Sequence, residues 1–162
     1  MSLPLDVQIV QDEQLRRVAR HEAGHFVVAM RLGHVLDYVD IREVGDRLGV
    51  AVTSAGPALG NDHHRIRESA AVFLAGPAAE GRGIDSSAGS CTDGDAFSAK
   101  VLMSQLSGED SLALDRLLEE VQQAADAYVK AWAEDIERLT SALLDRFVLT
   151  GQEVMDLLDV HC

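Results

Sequence analysis

The chain has 162 residues, of which 47% are apolar, a length and composition typical of one globular domain. Its 27 acidic and 14 basic side chains give a formal net charge of −13, which argues against binding to nucleic acid. Two cysteines exclude a disulfide framework, and no apolar stretch approaches the ~18–20 residues of a membrane span, so we expect a cytoplasmic protein without direct membrane insertion.

Periodicity and capping patterns predict a mainly α fold with a small β hairpin. The predicted helices, in chain order, are Asp12–Leu32, Asp62–Gly81, Asp93–Ser107, Asp110–Val148 and Thr150–Leu158. The fourth of these segments is either one very long helix or two helices joined by a bend. Two runs rich in β-branched residues, Val35–Val44 and Leu48–Thr53, flank Gly45-Asp46 and predict a hairpin or two strands of a small sheet.

Single residues mark the ends and bends of these helices. Asp12 is the expected N-cap of the first helix, and Gly33 is its expected left-handed stop. Pro77 lies inside the second helix, where it removes a hydrogen-bond donor and predicts a kink. Thr150 and Glu153 have capping-box spacing and open the last helix.

The first predicted helix contains His21-Glu22-Ala23-Gly24-His25, which matches the H-E-x-x-H pattern of zinc peptidases. Histidines four residues apart lie one turn apart on the same helix face, so both imidazoles can reach one tetrahedral metal ion. Glu22 then faces a water at the open metal position. There its carboxylate is the expected general base for attack of that water on a carbonyl.

The place of the motif on the helix supports a metal site independently. Glu22 and His25 fall on a stripe of otherwise apolar residues: Leu15, Val18, Ala29 and Leu32. A buried carboxylate beside a buried histidine needs a partner, because its desolvation would cost several kcal/mol. A divalent cation is one such partner. The alternative is a helix whose histidines are exposed or are satisfied by other core groups.

A zinc site needs a third protein ligand, and the sequence offers six candidates: Glu80, Asp93, Asp95, His34, His63 and His64. Asp93 is expected to cap its helix and to stay solvated. His63 and His64 stand in a polar first turn and are expected to be exposed. Asp95 shares a face with Ala99 and other apolar residues, and Glu80 shares one with Phe73, so both are expected to point inward. The residues alone leave Asp95 and Glu80 as alternatives.

Four segments of the chain occur in an order and spacing that resemble one peptidase family. They are His21–His25, Leu74-Ala-Gly-Pro-Ala-Ala-Glu80, Gly94-Asp-Ala-Phe-Ser-Ala99 and Leu143–Val154. The second is similar to a Gly-Gly-Arg-Ala-Ala-Glu segment, the third to an Asn-Asp-Leu-x-x-Ala segment, and the fourth to the closing helices of the family. From about Leu15 to Leu158 the chain therefore resembles the peptidase domain of FtsH-type ATP-dependent zinc metalloproteases.

This resemblance implies a zincin-like peptidase domain over residues 1–162. About 1–14 would be an N-terminal extension and about 110–158 a C-terminal helical segment. The resemblance also implies a homo-oligomer, which is a hexameric ring in this family. The strand Leu48–Thr53 falls where the family has a strand beside the metal cleft, so an extended substrate could pair with its edge. The other interpretation of that strand is a plain hairpin strand.

For the site, the resemblance implies that Zn²⁺ is bound by His21, His25 and Asp95 and that Glu22 is the general base. Glu80 would be a further carboxylate in the same pocket and stays the alternative third ligand. Two imidazoles and one carboxylate also suit iron, cobalt or manganese.

The sequence departs from the family pattern in three places. Gly76-Pro77 replaces Gly-Arg, which removes a cation near the pocket. Ser90-Cys91-Thr92-Asp93 replaces a Thr-Gly-Ala-type segment, so Cys91 becomes a further residue that could approach the metal. The 162 residues contain no G-x-x-x-x-G-K-[ST] motif, so ATP-driven unfolding would need a separate ATPase chain.

These observations predict a zinc-dependent endopeptidase that hydrolyses peptide bonds of peptides or unfolded proteins. Its partners would be a polypeptide substrate, further copies of the chain and, for folded substrates, a separate ATPase. The alternative is a catalytically weak, zinc-stabilised module that binds peptides or serves regulation or assembly.

Overall fold

A computed structural model describes residues 5–44, 47–55, 62–83 and 92–160. The helices in this part of the chain are α1 (Leu5–Arg31), α2 (His63–Ala79), α3 (Thr92–Ser107), α4 (Ser111–Ala131), α5 (Ala133–Arg146) and α6 (Gly151–Leu157). Three strands, β1 (Val35–Val44), β2 (Arg47–Ala55) and β3 (Val148–Thr150), form one antiparallel sheet in the order β2-β1-β3. The predicted mainly helical fold with a small sheet is confirmed. None of the helices described combines the length and apolar character needed to cross a bilayer.

Helix α1 is longer than predicted at its N-terminus and ends as predicted. It begins at Leu5, so Asp12 lies inside the helix and the prediction of an N-cap there is wrong. An acidic residue with cap preference does not stop a helix whose preceding residues can also be helical. Gly33 adopts φ +81°, and the His34 N–H donates to the Ala29 carbonyl at 3.0 Å. This is the predicted left-handed stop.

Helix α2 begins directly after Asp62, whose carboxylate accepts hydrogen bonds from the backbone N–H groups of His64 and Arg65 at 3.0 and 3.3 Å. Pro77 lies in the last turn and does not stop the helix before Ala79. Gly81 follows with φ +77° and ends it, which brings Glu80 to the C-terminal boundary of α2.

The long segment after Asp110 forms two helices, which is one of the two predicted arrangements. Helices α4 and α5 meet at Trp132, whose backbone (φ −113°, ψ 26°) departs from helical geometry. The Trp132 ring stacks on Tyr128 with centroids 5.2 Å apart and planes 10° apart.

Strand β3 was not predicted, and it corrects the expected end of the long helical segment at Val148. Helix α5 stops at Arg146, and Phe147 adopts φ 65°, which turns the chain toward the sheet. The Ile41 N–H then donates to the Phe147 carbonyl at 2.9 Å, and Val39 pairs with Leu149. A three-residue strand is too short to show alternation in the sequence.

The predicted capping box at the start of α6 is confirmed. The Thr150 hydroxyl accepts from the Glu153 N–H at 3.3 Å, and the Glu153 carboxylate accepts from the Thr150 N–H at 2.8 Å. Together with the strand pairing of β3, this cap fixes the chain's return beside β1.

Two hydrophobic clusters share α1 and α2 as their boundary. One joins α1, β1, α5, β3 and α6 and contains Phe26, Val39 and Leu139, while the other joins α2, α3 and α4 and contains Leu74 and Met103. At the boundary, a Cβ on Gly24 would lie 2.6 Å from the Ala75 carbonyl oxygen. The missing side chain therefore lets the backbones of α1 and α2 approach closely, with the H-E-x-x-H turn against α2.

Candidate metal centre

Three potential ligands from two helices converge where α1 and α3 face α2. His21 Nε2 lies 3.0 Å from His25 Nε2 and 3.1 Å from Asp95 Oδ2, and His25 Nε2 lies 3.3 Å from the same carboxylate oxygen. Among the residues described, this is the group of histidine, cysteine and acidic side chains close enough to hold one metal ion. The side chains are 6%, 12% and 20% exposed, respectively, so the Asp95 end is the most accessible to solvent.

The hydrogen bonds of the remote ring nitrogens orient both histidines. His25 Nδ1 lies 2.7 Å from the Val72 carbonyl oxygen, which can only accept, so Nδ1 must carry the proton. In a neutral imidazole this leaves the lone pair on Nε2. Such a bond from the remote nitrogen is the usual way in which a protein fixes the tautomer and ring orientation of a metal-binding histidine.

Glu80 contacts His21 on the side away from this cluster. Its Oε1 lies 2.6 Å from His21 Nδ1, while Asp95 approaches His21 Nε2. Arg17 Nε lies 2.9 Å from Glu80 Oε2, and Arg82 Nε lies 3.6 Å from it. The structure thus brings Asp95, and not Glu80, next to both Nε2 atoms. It places Glu80 where it can orient the His21 ring.

The other predicted candidates lie elsewhere or outside the described residues. His63 and His64 are exposed at the start of α2, as predicted. His34 follows the end of α1 and belongs to no group of three potential ligands among the described residues. Asp93 is the second residue of α3, so it is not an N-cap preceding the helix as expected, and its side chain lies outside the described part. Cys91 lies outside the described residues altogether.

Glu22 is buried beside this cluster. The residue is only 6% exposed, and its negative charge favours the protonated form of His21. This burial agrees with the prediction that the stripe of α1 containing Glu22 points inward. Ala29, on the same stripe, is also buried, and His25 is largely covered.

The electrostatics of the cluster favour a bound cation. Burial lowers the pKa of His21, but the hydrogen bonds that its ring donates to Asp95 and Glu80, together with the Glu22 charge, outweigh burial and raise the value to about 10. Burial likewise raises the pKa of Asp95, yet hydrogen bonds from His21 and His25 bring it down to about 2. Glu80 has a lowered pKa because the His21 contact and the arginine charges outweigh its burial. Three carboxylates around two imidazoles thus hold a positive charge, which a proton supplies when no metal is bound.

Two contacts of the site were missed from the sequence. The Val72 carbonyl could not have been found, because every residue has a carbonyl and only the packing of α1 on α2 selects this one. The position of Arg17 near the site could have been predicted, because Arg17 precedes His21 by four residues and therefore lies on the same face of α1.

Without a bound metal ion, the protein is expected to lose stability as the pH rises. His21 titrates at about 10 in the folded protein against 6.5 in the unfolded chain. Its contribution to stability is therefore full below about pH 6.5 and is lost as the pH rises through about 10. Thermal unfolding in the presence of a chelator, at about pH 6.5 and about pH 9.5, measures the loss. A His21→Gln variant should lose less over this interval, and an equal loss would contradict the assignment.

No protein-family model and no curated protein matches this chain. The likeness to FtsH-type peptidases therefore stays a prediction that rests on the four segments named above.

Proposed function

We propose that this protein is a zinc-dependent endopeptidase that cleaves peptides or unfolded polypeptides. The observation that carries the proposal is the convergence of His21 Nε2, His25 Nε2 and Asp95 Oδ2 within 3.0–3.3 Å of one another. Two histidines of an H-E-x-x-H helix and one further ligand form the donor set of hydrolytic zinc sites. The glutamate of the motif supplies the base that such hydrolysis needs.

The three donor atoms fit a zinc ion. Ligand distances of 2.0–2.1 Å in a tetrahedral site place donor atoms about 3.3–3.4 Å apart, a few tenths of an ångström from the separations found here. Nitrogen donors argue against magnesium and calcium, which prefer oxygen, while iron, cobalt and manganese share the preference of zinc for this set. Three protein ligands would leave one coordination position of the ion for water or substrate. The partial exposure of Asp95 is consistent with access to it.

Zinc bound here would polarise a peptide carbonyl and lower the pKa of a coordinated water to about 7. Groups of the protein itself would orient the histidines and transfer the proton. Glu80 and the Val72 carbonyl hold the two imidazoles with their Nε2 atoms facing each other. The Glu22 carboxylate takes the proton of the attacking water and can return it to the leaving amine.

Strand β2 is the proposed site of substrate pairing. In the described sheet it pairs with β1 on one side only, so its other edge can accept an extended peptide as a further strand. β2 also contacts α1, the helix that carries the motif. Recognition through backbone hydrogen bonds gives weak sequence preference and requires an extended chain. Peptides and unfolded segments therefore fit better than folded proteins.

Two partners follow from the family resemblance and belong to the same proposal. Cleavage of folded proteins would need an ATPase to unfold them, and an ATPase on a separate chain is the proposed partner. Further copies of this chain would assemble into a ring, with a hexamer as the expected state. Sedimentation of the purified protein tests the assembly, and a monomer at high concentration would contradict it.

Hydrolysis of casein by the purified protein tests the proposed activity. We expect cleavage that stops on chelation of the metal and returns on addition of zinc, together with about one zinc per chain in the purified protein. Cleavage that is indifferent to the chelator would contradict the proposal. Bound zinc without cleavage of casein or short peptides would favour the alternative, a zinc-stabilised binding or regulatory module.

A further inference from the structure

Gly76 of α2 lies directly against the His25 imidazole. A Cβ built on Gly76 would fall 2.3 Å from His25 Nε2 and 2.7 Å from each of the two ring carbons bonded to that nitrogen. Real Cβ atoms essentially never come this close to a heavy atom of another residue, so the ring occupies the space that any larger residue at this position would need.

The backbone does not require glycine at this position. Gly76 lies inside α2 and does not adopt a positive φ, unlike Gly33, Gly81 and Gly108. Glycine in a helix interior is less favourable than alanine, because it loses more conformational freedom on folding. The space taken by the His25 ring is therefore the physical reason for glycine here.

Val72 and Gly76 are one helical turn apart on the face of α2 that meets α1. The Val72 carbonyl accepts from His25 Nδ1 at 2.7 Å, and Gly76 lies beneath the opposite, Nε2 edge of the same ring. One turn of α2 thus contacts the imidazole at both nitrogens. The hydrogen bond at Nδ1 alone would let the His25 ring rotate about that bond. The backbone of Gly76 limits how closely the Nε2 edge of the ring can approach α2.

We infer that Gly76 is a positioning residue for His25, which sets the place of Nε2 relative to His21 Nε2 and Asp95 Oδ2. The inference deepens the proposed metal site, and its metal-binding consequence rests on that proposed function. The expected effect of Gly76 on the His25 ring does not rest on the proposed function, because Gly76 contacts the ring without metal.

The test is the G76A variant with two measurements. In the metal-free protein, nitrogen-15 NMR of the imidazoles reports the tautomer of His25, and we expect the Nδ1–H form of the wild type to be lost in G76A. Competition with a chelating dye reports zinc affinity, which we expect to fall about 100-fold or more, since loss of an orienting contact alone costs 10–100-fold. A cobalt-substituted sample should lose its tetrahedral absorption bands in parallel.

Gly94 provides the matched control. It precedes Asp95 in α3, and a Cβ there would meet nothing within 4 Å. G94A should therefore keep the His25 tautomer and a zinc affinity within about twofold of the wild type. If G76A behaves like G94A in both measurements, the inference is overturned. If the wild type binds no zinc, but G76A changes the His25 tautomer and G94A does not, the proposed function fails and the inference stands.

A double variant determines whether a loss of stability in G76A arises from the clash with the His25 ring. Every one of the three atoms nearest to the added Cβ belongs to His25. G76A/H25A, in which the ring is absent, should therefore melt at the same temperature as H25A alone. A double variant that stays less stable than H25A would show that Gly76 is required for other contacts, and would overturn the inference.

Discussion

A Glu22→Gln variant is expected to retain bound zinc and to lose peptide hydrolysis by about 10²–10⁴-fold, the usual contribution of a general base. Glutamine has the shape of glutamate but cannot accept a proton at neutral pH. Glu22 is not one of the three converging donors, so the metal-binding group remains complete. Rates of casein or peptide cleavage, measured beside the zinc content of the same samples, separate the two effects.

Glu13→Gln is the matched control for this variant. Glu13 lies on the same helix but is exposed, and the substitution removes the same charge. Its rate should stay within about twofold of the wild type, since surface substitutions have small effects. Undiminished cleavage by Glu22→Gln would mean that another group takes the proton. Loss of zinc from Glu22→Gln would mean that the carboxylate supports metal binding itself.

The helix that carries the motif could be predicted because its signals are local. His21 and His25 are four residues apart, and Gly33 ends the helix through its own conformational freedom. The same holds for the capping box of Thr150 and Glu153, which involves residues three apart. Each of these signals depends on short spacing along one chain segment, so the sequence contains it in full.

The choice between Asp95 and Glu80 depends on tertiary packing, so the residues alone left it open and only the family resemblance favoured Asp95. Both residues were predicted to point inward, and both contact His21 in the structure. What distinguishes them is the ring nitrogen that each one approaches, which is set by the placement of α2 and α3 on opposite sides of the imidazole. Periodicity reports the face of a helix and cannot report which atom on a neighbouring helix that face will meet.

Strand β3 shows the same limit on a smaller scale. Val148–Thr150 pairs with β1 because Phe147, a non-glycine residue, adopts a positive φ and redirects the chain. Neither three residues of strand nor a strained phenylalanine has a sequence signature. The N-terminus of helix α1 differs from this case. The helix extends to Leu5 because no helix breaker lies between Leu5 and Asp12, and no specific residue pattern is needed for the additional turns.

A comparison of Asp95→Asn with Glu80→Gln is expected to separate ligand from orienting residue by zinc affinity. Both substitutions remove one negative charge from the cluster and keep the side-chain shape. Asp95→Asn replaces a carboxylate that lies 3.1 and 3.3 Å from the two Nε2 atoms with an amide oxygen, which binds zinc poorly. Glu80→Gln keeps an oxygen that can still accept from His21 Nδ1, so only the strength of that hydrogen bond decreases.

We therefore expect Glu80→Gln to weaken zinc binding by about 10–100-fold and Asp95→Asn to weaken it by more than that. The matched removal of charge is what makes the comparison decisive, because a purely electrostatic effect would change both affinities about equally. A larger loss in Glu80→Gln would make Glu80 the third ligand and would require the His21 ring to turn over. The cobalt spectrum distinguishes these cases further, since removal of a ligand changes the coordination of the ion while a weakened orienting bond keeps it.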